Sequence, residues 1–95
     1  MATISRCWFE ATTQRMVDFE LVEDMIATFH TFSPEFLAAV IQLTDQNGST
    51  SLHYAVGHGA WPLVSVILDT GYAPVNHLNL AGFSPIMIAT ISHRK

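Results

Sequence analysis

The sequence predicts an all-α chain: a helical hairpin followed by a short, truncated solenoid of stacked helical repeats. Three observations carry this. Apolar residues recur four apart from Val17 through Leu21 and Met25 to Phe29, a helical period. Ser33-Pro34 and Trp61-Pro62 place proline at helix starts, where its missing N–H has no helical partner to lose. Two glycine-centred segments, at Gly48 and Gly82, match one another at a spacing of 34 residues.

Composition bounds the answer. The chain has 95 residues, 49% hydrophobic and 13% charged, with a formal net charge of −4. That length allows one small domain, able to bury about 60–65% of its unfolded surface. So low a charged fraction excludes a disordered solvating chain. The acidic balance argues against a nucleic-acid binder, which needs a basic face against phosphate. From Phe36 to His93 the only formal charges are Asp45 and Asp69. Such a stretch either buries most of itself or leans on a larger assembly.

Cys7 is the only cysteine, so no intrachain disulfide forms and a reducing compartment is expected. Ile4 to Phe9 is too short for a secretory apolar core. The apolar stretches Phe36–Leu43 and Leu63–Leu68 are too short to span a bilayer. A cytoplasmic location is the expectation.

Met1 to Thr13 shows no convincing period, and Trp8 and Phe9 are expected to pack on a later helix. From Arg15 the pattern turns helical, with Val22 and Ile26 beside the four-apart stripe and Glu20, Glu23 and Asp24 off it. Ser33 is the expected N-cap of the next helix, with Pro34 at its first position and Glu35 near its positive end. Phe36, Leu37, Val40 and Ile41 form that helix's inward face, so the two helices make a hairpin jointed at Thr31–Ser33.

Asn47-Gly48 marks a turn, because both residues tolerate a positive φ. Leu52, Ala55 and Val56 begin a short helix that Gly57-His58-Gly59 stops. Trp61-Pro62 opens another, carrying Leu63, Val64, Val66, Ile67 and Leu68 and ending at Gly71. After a loop through Pro74 and a second turn at Ala81-Gly82, Pro85 to Ile91 reads as one more short helix before His93-Arg94-Lys95.

The self-match runs from Asn47 to Ala55 against Ala81 to Ala89. It pairs Gly48 with Gly82, Thr50 with Ser84, Leu52 with Ile86 and Ala55 with Ala89. Each pair has one physical job: a positive-φ turn, a helix cap, a core contact, and a close approach of helices. Gly48-Ser49-Thr50-Ser51-Leu52-His53-Tyr54-Ala55 resembles the Gly-x-Thr-Pro-Leu-His-x-Ala segment of the ankyrin repeat, whose period is about 33 residues. Here Ser51 stands for the proline, Met87 for the histidine of the second copy, and that copy ends after one helix. The extra residue is placed between Gly71 and Val75.

A closer resemblance is to the KANK family, which joins an N-terminal KN motif to C-terminal ankyrin repeats. It rests on Asn47 to Tyr54, His58, and the run Asn79-Leu80-Ala81-Gly82-Phe83-Ser84-Pro85-Ile86-Met87, together with the upstream Trp8-Phe9 and Ser33-Pro34-Glu35. It spans Trp8 to Ile91 and corresponds to the opening of the family's array. The KN motif, which engages talin, and the coiled coil, which engages liprin, have no counterpart in these residues. The resemblance implies residues 1–44 as an N-terminal helical cap region and 45–95 as ankyrin repeats, one full (45–78) and one partial (79–95).

The resemblance also implies a role for His53, a hydrogen bond with Thr50 that fixes the junction of turn and helix and contributes roughly 0.5–1.5 kcal/mol. The five histidines show no zinc-type spacing, and His53 and His58, five apart, point to different helix faces. No base and orienting group surround a nucleophile, Asp45 is expected to cap its turn and Asp69 to end a helix, so neither an enzyme, a metal site nor a cofactor is expected.

By the same resemblance, Tyr54 and His58 face a concave groove with the turn tips. Tyr54, His58, Gln46, His77, Asn79 and Phe83 are therefore the candidate partner contacts, while Trp61 is expected to pack between helices. The family's ankyrin domain binds a peptide of a kinesin-4-type motor, in a cytoskeletal adaptor that regulates actin organisation. The implied function is protein–protein interaction without membrane insertion. The alternative is a truncated fragment with no binding of its own. Ile86, Met87, Ile88 and Ile91 would then lie exposed, a face through which the chain self-associates.

Overall fold

Local chemistry places the helix ends. In a computed structural model that describes residues 2–13 and 17–92, six helices follow in order. They are α1 (Ala2–Thr12), α2 (Phe19–Phe32), α3 (Pro34–Ile41), α4 (Ser51–Gly57), α5 (Trp61–Asp69) and α6 (Pro85–Ser92). No strand occurs among the described residues, so the all-α expectation stands. Asp18 caps α2 by accepting from the Leu21 amide at 3.2 Å. Ser33 alone joins α2 to α3: its amide donates to the Phe29 carbonyl, ending one helix, and its hydroxyl accepts from the Phe36 amide at 2.9 Å, starting the next. The expected hairpin is present, with a joint of one residue rather than three.

Two expectations change. The N-terminal residues form a helix. Its inward stripe is Ile4, Trp8 and Ala11, four and three apart, with the Thr12 hydroxyl donating back to the Trp8 carbonyl at 2.8 Å. In α2 the buried face runs through Val22, with Met25, Ile26 and Phe29 half-buried, while Leu21 is 49% exposed. The helix begins at Phe19, so Val17 lies before it, and of the four-apart stripe Val17, Met25 and Phe29 pack against the core while Leu21 turns outward. The proposed start of the pattern, Arg15, and the closing His93-Arg94-Lys95 lie outside the described residues.

The core is continuous along the chain. Trp8, Val22, Leu37, Val40 and Ile41 from the first three helices join Leu52, Ala55, Val56, Leu63, Val64 and Ile67 from α4 and α5. Trp8 is the link: it is fully buried, its Nε1 donates to Ser51 Oγ at 3.1 Å, and its ring stands edge-on to Phe29 at 6.5 Å. Phe29 meets Phe36 at 5.4 Å in the same manner, the edge-to-face arrangement that aromatic quadrupoles prefer. So Trp8 does pack on later helices, α2 and the start of α4. The helix α4 is central, packing on α1, α5 and α6. On α6, Ile86, Met87 and Ile91 are exposed as expected, but Ile88 is half-buried against the core.

Candidate functional site

The site grows from the two matched turns. In the first, Asp45 Oδ1 accepts from the amides of Asn47 and Ser49 at 2.9 and 3.0 Å, and the Gly48 amide donates to the Asp45 carbonyl at 2.9 Å. In the second, Asn79 Oδ1 accepts from the amides of Ala81 and Phe83, both at 3.0 Å, and the Gly82 amide donates to the Asn79 carbonyl at 3.0 Å. Every member is displaced by 34 residues. Gly48 and Gly82 both lie at positive φ, 72° and 85°, the region that favours glycine. Aspartate and asparagine thus do one job, because an Asx turn needs only a side-chain oxygen.

The turns also stack. The Leu80 amide donates to the Asn47 carbonyl at 2.9 Å and Asn79 Nδ2 donates to Ser49 Oγ at 3.1 Å. His53 completes the junction. Its Nδ1 accepts from the Thr50 amide at 3.0 Å, with Thr50 Oγ1 2.9 Å away, which assigns the proton to Nε2. Nε2 then donates to the Phe83 carbonyl at 3.0 Å. The expected Thr50–His53 bond is present, and it extends to the second turn. Among the described residues no buried side-chain nitrogen or oxygen lacks a partner.

Between the stacked turns and α4 lies a cleft of about 600 Å³, lined by Asn47, Ser49, His53, Tyr54, Asn79, Leu80, Ala81 and Ile88. Tyr54 is half-buried and its hydroxyl donates to Asp45 Oδ2 in a short hydrogen bond. Partial burial pushes the Asp45 carboxyl up, but the hydrogen bonds from Tyr54, Ser49 and Asn47 outweigh it and hold the group below its ordinary value. The same bond to Asp45, with burial, pushes the Tyr54 hydroxyl up. Donors and acceptors therefore line the cleft in fixed orientation.

The structure gathers the sequence-derived candidates only partly. Tyr54 and Asn79 line the cleft. Phe83 presents an exposed ring while its carbonyl is held by His53. His58 is exposed, its ring 6.4 Å from Tyr54. His77 is exposed and stands edge-on to His53 at 6.2 Å. Gln46 is exposed on the first turn, outside the cleft lining. Sequence reasoning did not name the other lining residues, Asn47, Ser49, His53, Leu80, Ala81 and Ile88, as contacts, although the 34-residue match aligned Tyr54 with Ile88. Among the described residues no group of three His, Cys, Asp or Glu is placed to hold a metal ion, and no helix is long and apolar enough to cross a membrane. No protein-family model matches the chain.

Proposed function

We propose that the chain is the opening part of an ankyrin-repeat array of KANK type, acting as a non-catalytic protein-interaction module of a cytoplasmic adaptor that regulates actin organisation. The observation that carries this reading is the repeated turn: two Asx-stabilised glycine turns, 34 residues apart, stacked by Asn79 on Ser49 and by His53 on the Phe83 carbonyl. Stacking of that kind builds a solenoid whose turn tips and first helices offer a continuous binding face. Tyr54, with His58 one helical turn later, and Asn79 and Phe83 at the next tip supply aromatic area and oriented polar groups there. The resemblance names the partner, a peptide of a kinesin-4-type motor. Titration of such a peptide should give saturable binding with a Kd on the order of micromolar, abolished in Tyr54→Ala. Absence of binding by a folded sample overturns the reading.

A second reading, a truncated ankyrin fragment with no binding of its own, draws on α6. Ile86, Met87 and Ile91 are exposed, and Leu52, Val64, Leu68 and Ile86 help line an apolar cleft of about 230 Å³ beside them. That face suits self-association, which light scattering over a concentration series detects.

A further inference from the structure

A different surface carries its own chemistry. A cleft of about 390 Å³ lies between α2 and α5, over α3. Its floor is apolar: Leu37 is buried, and Ile26 and Val66 are half-buried. Its walls carry exposed carboxylates from two helices, Glu23 on α2 and Asp69 at the end of α5, together with the exposed imidazole of His30 on α2. Glu20 and Asp24 extend the acidic outward stripe of α2. Among the described residues Arg6, on α1, is the only Lys or Arg, and neither Glu23 nor Asp69 is ion-paired.

An apolar group seated on Ile26 and Val66 would strip water from the rim carboxylates. That costs free energy unless the same partner brings cations to them. The Glu23 and Asp69 carboxylates, the formal charges on its rim, attract cations and reject anions. A second copy of this chain, whose described residues hold Arg6 as their only Lys or Arg, brings no cationic face to these carboxylates. We infer that the α2–α5 cleft docks a cationic amphipathic helix of another protein, an apolar side chain resting on Ile26 and Val66 with Lys or Arg on both sides, toward Glu23 and Asp69. The cleft volume suits side-chain anchors rather than a folded domain, as in helix-in-groove recognition.

The probe is a fluorescein-labelled helical peptide of Lys, Leu and Ala with its leucines on one face, followed by anisotropy at physiological salt. One-site binding is expected, weakened about fivefold by each of Glu23→Lys and Asp69→Lys, and less than about twofold by Glu10→Lys on α1, which changes net charge equally. The Glu23→Lys/Asp69→Lys double variant should instead bind the counterpart peptide with Glu in place of Lys. All three positions are exposed, and circular dichroism confirms that the helices remain. Equal weakening by Glu10→Lys, failure of the charge swap, or no saturable binding by folded protein overturns the inference.

Discussion

The first turn and helix (Asp45 through α4) and the second (Asn79 through α6) share the same turn hydrogen bonds and have opposite fates. In the first, Ser49 to His53, Ala55 and Val56 are buried. In the second, Ser84 and Pro85 are buried, but Ile86, Met87 and Ile91 are 51%, 46% and 59% exposed. The turn chemistry is satisfied equally in both, so it cannot be what separates them. The difference is neighbours: α4 lies among α1, α5 and α6, whereas α6 rests chiefly on α4. Turn geometry is a property of a few residues; burial belongs to the stack.

The comparison breaks or holds on paired substitutions. Leu52, 1% exposed, and Ile86, 51% exposed, are equivalent in the repeat. Leu52→Ala should cost ~2–5 kcal/mol and Ile86→Ala less than ~1 kcal/mol in urea unfolding. Equal losses would show that both layers are covered in solution.

The glycines give a smaller contrast. Alanine in the left-handed region costs ~1–2 kcal/mol at either turn. At Gly48 the added Cβ would also sit 3.2 Å from the Leu80 amide nitrogen and 3.3 Å from Leu80 Cγ, while at Gly82 it meets nothing within 4 Å. Gly48→Ala should therefore be the more destabilising, since the clash pushes on an amide that stitches the turns together. A ranking with Gly82→Ala worse contradicts the stacking.

The smallest effect concerns acid. Because the folded carboxyl of Asp45 is held below its ordinary value, its stabilisation is fully present above the ordinary carboxylate range and is lost as pH falls below that range toward the lower folded value. Asp45→Asn imitates the second turn, keeping the oxygen that caps it. It should cost at most ~1 kcal/mol at pH 7, for the Tyr54 bond, and should flatten the dependence of the unfolding midpoint on pH below the ordinary carboxylate range. An unchanged pH profile assigns the acid sensitivity to other carboxylates.

What the sequence made legible follows the same division. Ser33-Pro34, the Asx turns, Thr50 with His53 and the bounds of α4, α5 and α6 are short-range hydrogen-bond or backbone matters, and they were readable. The helix α1 was not, because its inward stripe holds only Ile4, Trp8 and Ala11 and continues into Thr12, a polar residue made apolar in effect by bonding to the Trp8 carbonyl. The register of α2 depended on where Phe19 starts it. In the site, Tyr54 and Asn79 were found, but the bonds from Tyr54 to Asp45 and from Asn79 to Ser49 join residues whose proximity only tertiary packing decides.

The imidazole of His53 gives the stack a direction. Its one N–H reaches forward to the Phe83 carbonyl of the following turn, so the first unit hands a proton donor to the second. Met87 occupies the corresponding place in the second unit and has no proton to hand on. The imidazole link therefore stops at that unit, whereas the amide-to-carbonyl and Asn79-type links between turns do not depend on it.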